Sequence, residues 1–257
     1  MSGTIAIIKK EMRSYFCSPI AYVVIGVFLF IMGIIFTKFV NLYARYAAAQ
    51  QFGAAQSITL DKLAFYLYQN VAFILCFVAP FLTMRLFAEE KKQHTLELLL
   101  TAPIKMTSLV MGKFLAAFSL MGIMVLLSFI YVFFMVIWGN PELGIIASTY
   151  LGLVLVLACY IALGAFISAL ASSQAIAAIW TFIALLLLWL LQSIGQGITA
   201  SWGPINWGSF LVYLSPLGHF NSFAEGVIQM KDVIYFVSFC WFLLFLTHKV
   251  IDSNRWR

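Results

Sequence analysis

Six stretches of the chain, near Ile20–Phe36, Ala64–Met84, Leu109–Trp138, Ala147–Ala171, Ala175–Leu191 and Val233–Thr247, are almost unbroken runs of apolar side chains. A hydrocarbon core of about 30 Å takes roughly 17–25 helical residues to cross, so each stretch predicts one membrane span. Before the first, residues 4–16 change to a helical period. On a wheel, Ile5, Ile8, Met12, Tyr15 and Phe16 share one arc and Lys9, Lys10 and Arg13 the neighbouring one, which predicts an amphipathic interface helix. A frayed basic tail is the alternative. Ser18-Pro19 then provides an N-cap and a first-turn proline for the span that follows. Residues 37–63 form a polar external segment whose alanine-rich middle suits a helix. Pro80 lies inside the second span and predicts a kink, because it removes one backbone donor and clashes with the preceding turn.

The pattern breaks hardest between the second and third spans. Five of the seven residues in Ala88-Glu89-Glu90-Lys91-Lys92-Gln93-His94 are ionised or ionisable. At roughly 2.5–3.5 kcal/mol for each Lys, Arg or Asp at mid-bilayer, such a block cannot insert. Residues 86–104 are therefore a loop, and its leucine-rich half, Thr95 to Leu100, predicts a short amphipathic helix that presses on something. A protein partner on the same side fits that surface. Glu89, Glu90, Thr95, Leu96, Glu97, Leu99 and Pro103 are its candidate contact residues.

A second unusual segment is 192–232, whose only charges are Glu225, Lys231 and Asp232. Its aromatic residues interleave with Gly195, Gly197, Gly203, Pro204, Gly208, Pro216 and Gly218. It is too apolar for a solvated loop and too broken for a straight span, so it predicts an external, re-entrant pair of short helices packed on protein. A seventh span is the alternative and would reverse the C-terminus. The periodicity places Phe220, Phe223 and Val227 on one apolar face and turns Asn221, Ser222, Glu225 and Gln229 away. His219 reads as a capping or locally hydrogen-bonded residue, since no second metal ligand is near it in sequence. The turns at Gly139-Asn140-Pro141-Glu142 and Ser172-Ser173-Gln174 are tight hairpins.

Composition sharpens this picture. The 257 residues are 64% hydrophobic and 9% charged, outside the range of soluble domains. The expected fold is an all-α polytopic membrane protein with six transmembrane helices, in which residues 1–257 form one domain. Placing both termini in the cytoplasm puts eleven Lys and Arg inside and leaves Lys38, Arg45, Lys62 and Lys231 outside, as the positive-inside rule asks. The net charge of +6 is thereby topology rather than nucleic-acid binding. Ala47-Ala48-Ala49 resembles a signal cleavage site but lies well beyond the apolar run, so the first span is expected to be retained. Cys76, Cys159 and Cys240 fall in spans and Cys17 at an entrance, which predicts no disulfide and no metal site.

The chain offers no catalytic constellation. Gly112-Lys113 is followed by Phe114 rather than Ser or Thr, and Thr107 stands where a phosphate-binding loop needs glycine. His94, His219 and His248 are scattered, and the spans read as nearly free of ionisable groups, which leaves little for a channel or an intramembrane enzyme to use. An integral membrane scaffold or a channel is the remaining alternative class.

The block Arg85-Leu86-Phe87-Ala88-Glu89-Glu90-Lys91-Lys92-Gln93-His94-Thr95-Leu96-Glu97-Leu98-Leu99-Leu100-Thr101-Ala102-Pro103-Ile104, followed by Met111-Gly112-Lys113-Phe114, resembles the permease subunits of ABC-2 type transporters. Within them it is most similar to gliding-motility and copper-accessory permeases. Ser18-Pro19-Ile20-Ala21-Tyr22, Tyr213-Leu214-Ser215-Pro216-Leu217-Gly218-His219-Phe220 and Asp252-Ser253-Asn254-Arg255-Trp256-Arg257 extend the resemblance over nearly the whole chain. His94 departs from the glycine common in the family.

The resemblance implies a cytoplasmic coupling helix in the charged block, docked on a separate cytoplasmic ABC ATPase subunit that binds the ATP and Mg. This chain would hold no cofactor and would not itself be an enzyme. It also implies a second permease subunit, as homodimer or related chain, a periplasmic accessory subunit and residence in the bacterial inner membrane, while the charge of Lys9, Lys10 and Arg13 places them at the phosphate level of the inner leaflet, in contact with membrane lipid. His219, Phe220, Phe223 and Glu225 would mark the external helix. Export and mechanical transmission to the periplasmic partner both remain open, as do lipid, polysaccharide and copper-accessory roles.

Overall fold

The computed structural model describes residues 2–51, 60–93, 95, 105–138, 141–197, 201–202 and 205–253. Helix α1 spans Ser2–Cys17, α2 Pro19–Gln51, α3 Leu60–Thr83 and α4 Ala88–Lys92. After them come α5 (Met106–Leu127), α6 (Phe129–Trp138), α7 (Leu143–Leu170) and α8 (Gln174–Gly197). A two-residue antiparallel pair, β1 Ser201–Trp202 and β2 Ile205–Asn206, precedes α9 (Trp207–Leu214), α10 (Pro216–Ala224) and α11 (Met230–Ser253). Among the described residues six helical segments are long and apolar enough to cross a membrane, so the chain is an all-α polytopic membrane protein.

The helices outrun the apolar stretches that predict them. The first span continues helically to Gln51, well into the segment read as external, because its alanine-rich tail keeps a high helix propensity once the span has nucleated it. The fifth carries on to Gly197, so 192–197 belong to α8 and not to a loop. Gly195 is tolerated there because a Cβ would stand 2.7 Å from the carbonyl oxygen of Gly208, so the glycine lets α9 approach the helix. Likewise 230–232 belong to α11. The third span, expected unbroken, is divided at Ser128, whose hydroxyl turns back to the Val125 carbonyl at 2.6 Å. Pro80 sits inside α3, which ends three residues later at Thr83.

Helix α7 is the centre of the bundle, contacting α3, α5, α8, α10 and α11. Small residues make that possible, as expected where helices pack closely in lipid. A Cβ on Gly164 would lie 2.2 Å from Thr83 Oγ1, and one on Gly152 would lie 2.7 Å from Phe223 Cβ. Helix α1 packs along α5, with Ile7 seated on Gly112. Its buried stripe differs from the wheel's: Ile7 and Tyr15 are buried, whereas Ile5 is exposed. The face is rotated because the polar Glu11 belongs to it, reaching Lys113 on α5. Lys9, Lys10 and Arg13 remain exposed.

Candidate functional site

The charged block begins where α3 runs out. Thr83 turns its hydroxyl to the Ala79 carbonyl, and the chain passes through a turn at residues 84–87 into α4. A helix start leaves backbone N–H groups without intrahelical partners. Here the residue at the N-cap position, Phe87, has no side chain to serve them. Ser168 on α7 does so instead: its Oγ accepts from the N–H groups of Phe87 (3.1 Å) and Ala88 (3.2 Å) and donates to the Met84 carbonyl at 3.3 Å. Lys91 Nζ donates to the carbonyl of Ala169. Helix α4 is thus bound to the last turn of α7 at both its start and its middle.

Its other attachment is ionic. Lys113, two turns into α5 and only 2% exposed, directs Nζ to Glu90 Oε1 on α4 (2.8 Å) and Glu11 Oε1 on α1 (3.0 Å). The Phe87 ring lies 5.4 Å from the same ammonium. A lone ammonium at this depth would be prohibitive, and two carboxylates and an aromatic face compensate it. One cation therefore ties α1, α4 and α5 together. The Glu90 Oε2 atom is buried without a partner among the described residues. Beside the cluster, burial pushes the Tyr15 phenol above its ordinary range, with the Glu11 carboxylate adding to the effect, so the hydroxyl stays protonated.

These contacts correct one expectation. Glu90, read as a partner-contacting residue, turns inward, because Lys113 needs a counter-ion more than the loop needs another exposed charge. Glu89 is half-buried, and Thr95 caps the turn by donating both its N–H (3.0 Å) and its hydroxyl (3.3 Å) to the Glu90 carbonyl. His94, Leu96, Glu97, Leu99 and Pro103 lie outside the described residues.

A second constellation occupies the far end of α7, about 24 Å away from Ser168 along the helix at the position of Gly152. There Phe220 and Phe223 are fully buried, with Phe223 against Gly152 and its carbonyl accepting from Ser148 Oγ at 2.8 Å. Val227 does not share their face. Gly226, at φ 87°, closes α10 with its N–H on the Phe223 carbonyl while the Val227 N–H returns to Ser222, a Schellman stop that leaves Val227 half exposed. Asn221 and Ser222 are half-buried and Glu225 is exposed.

His219 is buried, and its main partner is not local. Nε2 meets the Tyr213 carbonyl at 2.8 Å, but Nδ1 meets Asp232 Oδ1 on α11 at 2.6 Å, with the Tyr235 ring stacked 4.0 Å away. A backbone carbonyl can only accept, so Nε2 carries hydrogen and one further proton lies between Nδ1 and the carboxyl. Next to α10, a cleft of about 550 Å³ is walled by aromatic rings including Phe65 and Trp189 and by the amides of Gln69, Asn70, Gln192 and Asn221.

A family model described as ABC-2 family transporter protein matches residues 5–250. The chain belongs to the ABC-2 transporter family. A search of curated proteins gives no significant match. Six spans and this family make the permease a multi-pass membrane protein, of a kind that works generally with a cytoplasmic ABC ATPase.

Lys113 and Asp232 are what sequence reading of the permease missed. The spans read as nearly free of ionisable groups, although Lys113 lies inside the third. The available signal was the cost of that ammonium, which demands a partner. Which partner is invisible in sequence, since Glu90 is 23 and Glu11 102 positions away.

Proposed function

We propose that this permease couples ATP hydrolysis by a separate cytoplasmic ATPase to export or to mechanical transmission to a periplasmic partner, with residues 86–104 as the coupling segment. The observation that carries the reading is the clamp on α4. Lys113 ties it to α1 and α5 while Ser168 and Ala169 tie it to α7. A segment held at so many points cannot be displaced without moving the spans, which is what transmission from a soluble motor requires. The chain holds no phosphate-binding motif, so the motor is a different polypeptide, which binds the ATP and Mg. The permease works as a homodimer or with a related permease, in the bacterial inner membrane with both termini cytoplasmic.

The gliding-motility type is favoured among the roles, on the resemblance of the charged block and chain ends. Lipid, polysaccharide or copper-accessory export is the second reading, supported by the aromatic and amide walls of the cleft beside α10. The test replaces Leu96 and Leu99 with Asp in the full chain. Membrane insertion should persist and the ATPase should no longer co-purify from native membranes; undiminished co-purification refutes the coupling assignment.

A further inference from the structure

A groove of about 780 Å³ runs between α5, α7 and α11, with none of Glu11, Glu90, Lys113 or the residues of α10 in its lining. Helices α5 and α11 are antiparallel here, so the start of one and the end of the other line the same mouth. Thr107, His248 and Lys249 stand there, while Phe118 and Phe236 line the opposite end. From Phe236 to Lys249 the groove follows α11 for thirteen residues, about 20 Å at 1.5 Å per residue. That is the depth of one leaflet: half of a hydrocarbon core of about 30 Å plus part of its headgroup layer.

Its chemistry is graded along that length. The body is lined by hydrocarbon, aromatic rings and a thiol, and polarity is confined to the mouth. Lys249 is exposed, its Nζ lies 5.7 Å from the centre of the Phe245 ring, and no carboxylate pairs with it among the described residues. Lys105 is also exposed, one residue before α5 begins. Thr107 also places the N-terminal turn of α5 at the mouth, a favourable setting for an anion. An apolar trough one leaflet deep, with cations only at its aqueous end, matches an amphiphile with an apolar tail and a negative head. A second copy of the chain fits less well. A two-fold contact presents the same patch to itself, and would bring two Lys249 mouths together without a counter-ion.

We propose that this groove is a binding site for one anionic phospholipid, its phosphate at Lys249, His248 and Thr107 and an acyl chain lying along Met111, Phe114 and Trp241. The chain then packs on the two residues, Met111 and Phe114, that flank the Gly112–Lys113 step of α5. Occupancy of the groove thereby bears on the helix that carries the clamp's cation.

The experiment uses the full chain reconstituted in phosphatidylcholine vesicles containing either phosphatidylglycerol or further phosphatidylcholine with brominated acyl chains, and reads tryptophan quenching. At equal mole fraction, brominated phosphatidylglycerol should half-saturate quenching at about a five-fold lower fraction than the brominated zwitterionic lipid, the factor one basic residue supplies near an anionic head. Lys249→Glu, at an exposed position, should abolish that preference. Trp241→Phe should remove the saturable part of the quenching. Equal quenching by the two lipids, or a preference that survives Lys249→Glu, overturns the proposal. Disulfide-linked dimers of Trp241→Cys would also overturn it, by assigning the groove to a second permease.

Discussion

Lys113 decides how the charged block is held, and its surroundings predict unequal costs for removing each of the three charges of the cluster, Lys113, Glu90 and Glu11. Replacing it with Met leaves Glu90 buried beside a second carboxylate, and should cost about 3–5 kcal/mol in unfolding of the purified full chain in mixed micelles. Glu90→Leu alone leaves Lys113 with Glu11 as its remaining counter-ion and should cost less than that. The double variant Lys113→Met/Glu90→Leu removes both charges and should return to within about 1 kcal/mol of the parent. Glu11→Gln keeps an acceptor for Nζ and reduces the excess of negative charge, so its cost should stay near 1 kcal/mol. Additive single and double variants would show that the 2.8 Å pair carries no coupling. The need for such a pair is legible in the sequence, because an ammonium inside an apolar run must be neutralised. Its identity is not, since three helices bring together residues 11, 90 and 113.

The elements divide in the same way. Spans were readable because lipid imposes length and apolarity on each helix separately. Helix ends and faces were not, where a neighbour sets them. The N–H groups of α4 are served by Ser168 from α7, eighty residues on. The stripe of α1 is fixed by Gly112 and Lys113 of α5. Helix α10 was legible as a short helix from Ser215-Pro216 and the Phe220–Phe223 spacing, but its end is set by Gly226, which strands Val227 outside the face. Its tie to α11 predicts a graded response at Asp232. Asp232→Asn can donate its amide hydrogen to a neutral Nδ1 while Nε2 still serves Tyr213, and should cost about 1 kcal/mol. Asp232→Leu leaves the buried imidazole without that partner and should cost about 3 kcal/mol. Thermal unfolding of the two variants separates them, and equal losses would mean that the carboxylate charge itself is indispensable.

At the scale of the whole molecule, α7 and α8 each touch both constellations, and α7 makes the hydrogen bonds to α4. Ser168 and Ala169 hold α4 at one end, and Ser148 with Gly152 seats Phe223 at the other, about 24–30 Å distant for a rise of 1.5 Å per residue. Packed helices move as rigid bodies rather than deforming continuously, so a displacement of α4 reaches α10 through α7. The clamp should therefore separate binding of a motor from transmission. Glu225 is exposed at the end of α10, and Glu225→Cys in a Cys17→Ser background gives a label site there. With the co-purifying ATPase present, ATP should change the labelling rate at position 225 by several-fold in the parent chain. In Lys113→Met/Glu90→Leu, which restores stability but frees α4 from α5, the ATPase should still co-purify and the ATP-dependent change should shrink or vanish. Leu96→Asp/Leu99→Asp should instead lose the ATPase altogether. If the freed variant keeps the full ATP response at position 225, transmission does not pass through the Lys113 clamp, and the contacts of α4 with α7 and α8 must carry it.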